Sequence, residues 1–276
     1  MRRTSLIMNM GVVFITSFFI LGHFSASLAQ SDPVLDLSKN KLRDRIQASG
    51  FITAKPIPYW GSVVGTKDGA THLTEGDILF LQFEPGKESK PGDRFSILRL
   101  GETISHPVSK KELGQVVMVA GELVILEVKN QTAIAKISHS YHSITVGNLI
   151  APPRPKLPET IPIRSLANIE GNIIATLEDV VGITEGEFVF IDRGNKDGVI
   201  VGDLLSIYQA DATLDKEIEK LRLIKQGEAA KQIEKLPLIK AGEAVVVDTQ
   251  EETSTVFIRK SLQDIFVGDK VISGRK

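Results

Sequence analysis

Apolar and polar positions alternate along most of this chain in short runs, each closed by a glycine or an acidic residue. The β-rich run Asp77–Phe83 and the period-two alternation over Asp93–Arg99 and Thr132–Ser138 predict strands. The aliphatic runs Val116–Ala120 and Leu123–Val128 predict two more, and Tyr59–Gly65 precedes them as a first strand. From Ile169 the pattern starts again. Strands are predicted over Ile169–Ala175, Glu187–Asp192, Asp203–Tyr208, Ala244–Asp248 and Thr253–Arg259. Short strands at regular spacing, with turn residues between them, build small barrels or sandwiches and not an α/β sheet.

The recurrence is an internal repeat, and a repeat fixes the domain plan. Thr74-Glu75-Gly76-Asp77 falls on Thr184-Glu185-Gly186-Glu187, and without a gap Pro91-Gly92-Asp93 falls on Val201-Gly202-Asp203. Further on, Gly121-Glu122-Leu123-Val124 matches Gly242-Glu243-Ala244-Val245, and Ile144-Thr145-Val146-Gly147-Asn148 matches Ile265-Phe266-Val267-Gly268-Asp269. Gly76, Gly92 and Gly147, with their counterparts Gly186, Gly202 and Gly268, are each followed by an acidic or amide residue. That pair predicts a strand corner. Glycine turns the backbone, and the side chain after it bonds nearby backbone groups. Turn chemistry accounts for these acids, so they are read as structural and not as metal ligands.

The plan that follows is a polar leader over 30–50, a first repeat over 51–150, a linker over 151–164 and a second repeat over 165–276. In the leader, Leu35, Leu37, Leu42 and Ile46 predict one apolar stripe on a short helix over Leu37–Ala48, with a loose segment as the alternative. The linker holds Pro152, Pro153, Pro155, Pro158 and Pro162, which makes it a stiff extended spacer. The second repeat carries an insertion over 212–240, in which Glu219–Ala229 is nearly duplicated as Glu234–Ala244. Its helix formers, with Leu214, Ile218 and Leu221 on one face, predict a short helical insertion. A tolerated surface loop is the simpler role and a partner-binding arm the other.

Composition narrows the function. The formal net charge of −1 provides no basic face for nucleic acid. The absence of cysteine removes disulfides, thiolate metal sites, a cysteine nucleophile and a lipid-modified N-terminal cysteine. Arg2 and Arg3, the apolar run Leu6–Leu21 and the small residues of Ser27-Leu28-Ala29 predict a secretory signal peptide over 1–29. A retained anchor is the alternative, although the apolar run is short for a bilayer. The expected product is a periplasmic protein with no membrane span after cleavage.

Chemistry-bearing patterns are few. His139 and His142 stand close enough to share a metal if carboxylates joined them, but a polar turn accounts for them, and no metal or other cofactor is expected. His72 and His106 stand alone in predicted turns. The run Asp192–Gly198 has the look of a calcium loop, yet Arg193 and the missing closing glutamate break the pattern, so a hairpin turn is predicted. No phosphate loop, nucleophile elbow or zinc helix occurs. Tyr59 and Trp60 are the best pair for contacting a ligand or partner, since aromatic faces stack on sugars. Packing over a barrel end is the other reading.

Two segments carry a family resemblance: Lys90–Arg99 followed by His106-Pro107-Val108, and Gly121–Val128 followed by Thr132–Ile137 and Ile144–Asn148. They resemble the C-terminal region of LysM-containing envelope proteins of Gram-negative bacteria. More distantly they resemble the C-terminal domain of the flagellar assembly protein T family, a small SH3-like β-barrel. The resemblance implies a mainly β chain of two tandem SH3-like barrels. It also implies a non-catalytic, exported module that binds an envelope protein or peptidoglycan. The competing functions are a structural ring or scaffold subunit and a peptidoglycan-acting hydrolase.

Overall fold

The computed structural model describes residues 34–36, 42–107, 109–155, 160–163, 168–177, 182–209 and 238–273. The expected signal peptide, part of the linker and residues 212–237 of the insertion lie outside the described residues.

The chain is mainly β. Strand β1 (Val34–Asp36) and helix α1 (Leu42–Ala48) precede the repeats. The first repeat contains β2 (Phe51–Thr53), β3 (Gly61–Thr66), β4 (Ile78–Phe83), β5 (Arg94–Ser105), β6 (Glu112–Lys129), β7 (Thr132–Ser140) and β8 (Leu149–Ala151). Strand β9 (Thr160–Pro162) follows. The second repeat contains β10 (Glu170–Thr176), β11 (Phe188–Ile191), β12 (Leu204–Tyr208), β13 (Lys240–Thr249), β14 (Ser254–Ser261) and β15 (Lys270–Ser273).

The second repeat is a closed six-stranded barrel in the order β10-β11-β14-β13-β12-β15. The first forms a sheet in the order β2-β6-β5-β8-β3-β4-β7, and β6 pairs with β7 as well. With β2 set aside, its cycle of pairings matches that of the second repeat strand for strand. Even the irregularities agree: the β3–β4 register slips at Val64, and the β10–β11 register slips at Ile174. Equivalent positions of the two repeats point inward. Leu79, Leu81, Ile97, Leu123 and Ile137 fill one core, and Val189, Ile191, Leu205, Ala244 and Ile258 fill the other.

The corner geometry is repeated too. Gly76 and Gly186 have φ of 96° and 93°, values that side-chain-bearing residues rarely adopt. Their amides donate to Ile137 and Ile258, equivalent carbonyls on β7 and β14. The following side chains, Asp77 and Glu187, accept from the amides of Thr74 and Thr184 at 2.9 and 2.8 Å. Asp93, Asp203, Asn148 and Asp269 cap the corners at Gly92, Gly202, Gly147 and Gly268 in the same way.

Two local expectations change. Val116–Ala120 and Leu123–Val128 are not separate strands but parts of β6, which passes through Gly121 without a break. A Cβ at Gly121 would meet the His139 carbonyl, so the bare backbone lets the two strands approach as β6 curves. The leader and linker are also partly structured. Leu35 of β1 pairs with Ile161 of β9, and the helix is seen from Leu42. The reason is apolar burial. Leu35, Ile46, Ile161 and Ile163 pack on Phe188, Val245, Val247 and Phe257, the outer face of the second barrel.

Candidate functional site

Helix α1 brings the two copies of the Thr-Glu-Gly corner to one cleft. The cleft has a volume of about 630 Å³ and is lined by Asp44 and Arg45 of α1, Glu75 and Glu187 of the corners, His139–His142, and Phe188. The Arg45 guanidinium donates to the Gly186 carbonyl and lies 5.4 Å from the centre of the Phe188 ring. That bond anchors the helix on the second corner. His139 sits between two carboxylates, with Nδ1 3.4 Å from Glu75 Oε2 and Nε2 3.8 Å from Asp44 Oδ2. Its ring meets the edge of Tyr141 at 4.8 Å between centres.

Tyr141 donates to Glu122 Oε1 at 3.3 Å. Burial, with the Glu122 charge beside it, pushes the phenol above its ordinary range, so the hydroxyl stays a neutral donor. His142 Nε2–H donates to the Ala48 carbonyl at 3.3 Å, which ties the turn to the end of α1. The two histidines therefore point to different partners. Among the described residues no group of three or more such side chains is placed to hold a metal ion.

The other sequence-flagged residues lie elsewhere. Trp60 is half-buried against the first core, with its ring 5.4 Å from that of Phe95 and the Lys87 ammonium 5.2 Å above it. Tyr59 beside it is exposed. His72 bonds Ser143 Oγ at 2.7 Å. The six corner glycines are distributed around both modules, and only the two Thr-Glu-Gly corners reach the cleft. Asp197 accepts from the Gly194 amide at 3.0 Å and closes a 3-10 turn at Asn195–Asp197.

A second constellation spans the repeats. His106, in the β5–β6 turn, accepts the Ser109 amide on Nδ1 at 3.1 Å. That acceptor role places the proton on Nε2, which donates to Asp192 Oδ2 at 2.9 Å. Asp192 is buried and also accepts from the Asn172 amide at 2.6 Å, the Asn172 side chain at 3.1 Å and Arg193 at 3.2 Å. Thr253 and Thr255 of the second repeat donate to the Ile52 and Gly50 carbonyls. Nothing local in the sequence marks these pairs, whose members lie far apart in the chain.

At the rim of this junction Glu252 receives Lys111 at 2.8 Å and Lys196 at 2.7 Å. The two ammonium groups hold its carboxyl down from 4.5 to about 2. A carboxyl depressed by folding stabilises the fold above its unfolded pKa and loses that effect as pH falls through the folded value. The difference in Tm between the wild type and Glu252→Gln is therefore expected to hold steady above about pH 5. It should shrink between 4.5 and about 2 and vanish below that, as melting at stepped pH would read.

No protein-family model matches this sequence, and no curated protein matches it.

Proposed function

We propose that this chain is an exported, non-catalytic binding protein of the cell envelope. It is built as two tandem SH3-like barrels with a helical insertion in the second, and it holds a basic segment of a protein partner beside α1. The observation that carries this reading is the charge of the cleft. Asp44 and Glu75 keep 51% and 61% of their side-chain surface open, while Arg45 is bonded to Gly186. An open acidic rim with Tyr141 and Phe188 beneath it suits a lysine- or arginine-bearing segment that also offers apolar side chains.

A protein partner is favoured over a glycan by the state of Trp60. A sugar needs an open aromatic face, and here Lys87 lies over the ring while Phe95 packs against it. The resemblance to envelope proteins agrees with a periplasmic role.

The test is capture of envelope proteins by the immobilised chain, compared with Glu75→Lys and Asp44→Lys. A discrete partner is expected, released by raised salt and lost from both charge-reversed variants. Capture that ignores both substitutions would refute the cleft. Retention on purified peptidoglycan that is lost in Tyr59→Ala would move recognition to the other end of the first barrel.

A further inference from the structure

His139 stands between the two open carboxylates of the cleft. Its Nδ1 faces Glu75 Oε2 at 3.4 Å, and its Nε2 faces Asp44 Oδ2 at 3.8 Å. The fold fixes this position. His139 pairs with Glu122 across β6 and β7, and its ring meets that of Tyr141 edge-on. A neutral imidazole carries one donor and one acceptor, so one of its nitrogens must turn a lone pair toward a carboxylate. An imidazolium carries a donor on each side and matches both.

The remaining titratable groups at the cleft have partners of their own. Arg45 of α1 is held by the Gly186 carbonyl, and Glu187 of the second corner by the Thr184 amide. Tyr141 stays a neutral donor to Glu122, because burial and that carboxylate push its phenol up. His142 donates to the Ala48 carbonyl at the end of α1. The second repeat supplies a contrast. There Lys260 pairs with Glu243 as His139 pairs with Glu122. The copy beside the acidic rim thus carries the one side-chain type whose charge ordinarily changes near neutrality. The His139 side chain keeps 42% of its surface open, so a proton reaches it without any opening of the fold.

We propose that His139 is a proton switch on this cleft, closing the acidic rim to basic partners in mildly acidic surroundings. The proposal rests on the reading of the cleft as a site for a lysine- or arginine-bearing segment. With the imidazole neutral, Asp44 and Glu75 are open to a partner's cations. Protonation gives both carboxylates a cation of the chain's own, and the partner must then compete with it. These pairs are part-exposed, so the expected loss of affinity is moderate, about three- to tenfold between about pH 7.5 and about pH 5.5.

Fluorescence anisotropy of a labelled peptide that bears lysine and leucine, and no histidine, tests this with the full chain at those two pH values. Lysine keeps its charge over the whole range. The wild type is expected to hold the peptide about three- to tenfold more weakly at the lower pH. His139→Gln is expected to hold it equally at both, and His142→Gln to keep the wild-type dependence. A wild-type affinity that ignores pH overturns the proposal, as does a dependence that survives His139→Gln. A peptide bound at neither pH would instead refute the cleft as a site for basic segments, and the switch is then read in the free chain. There the side-chain carboxyl carbon resonances of Asp44 and Glu75 should move with the same midpoint as the His139 ring, and lose that movement in His139→Gln. Carboxyl resonances that do not follow the ring overturn the switch.

Discussion

Phe190→Ala is expected to lower the stability of the chain by about 3–5 kcal/mol, whereas Phe80→Ala at the matched place should cost less, about 1–2 kcal/mol. Phe190 is fully buried between Ile174 and the hairpin residues Leu113, Val116 and Met118. Truncation removes the transfer energy of a whole ring and leaves a cavity walled by two modules that cannot both relax into it. Phe80 shows 38% of its surface to solvent, so truncation there opens no cavity. Urea midpoints would compare the two directly. Equal losses would mean that the second barrel does not depend on the first for its outer face.

Asp192→Ala should be nearly as damaging, at about 3 kcal/mol or more. The carboxylate is an acceptor for the imidazole of His106, for the backbone and side chain of Asn172, and for Arg193. Removing it strands several donors in a site too enclosed for water to replace every bond. Asp192→Asn keeps the shape and one oxygen and should cost less. A double-mutant cycle isolates the contact between modules: once Asp192 is alanine, His106→Ala should add little. If the two losses simply add, the histidine and the carboxylate act independently, and the pin between the repeats is not energetic.

The strands, the repeat and the corners were legible because each rests on local chemistry. Alternation marks Phe95 and Ile97 as inward, and Gly76-Asp77 marks a corner that Gly186-Glu187 repeats. Contacts between repeats were not legible. His106 reads as a lone turn residue and Asp192 as the start of a broken calcium loop, yet they meet across 86 positions. The same limit hid the candidate cleft, which exists only because α1 packs beside both corners. Its apolar stripe through Leu42 and Ile46 was visible, but not the surface it covers. Val64 and Ile174 make the point most simply. Their local patterns are alike, and only the neighbouring module decides that one is wet and the other dry.

The pairing of β1 with β9 sets an order on how the molecule is completed. A chain delivered from its N-terminus releases Val34–Asp36 long before Thr160–Pro162 exists. The earliest strand must therefore wait, idle, while the first repeat forms from contacts close in sequence. Its docking is a late clasp that joins the beginning of the fold to the passage between the repeats.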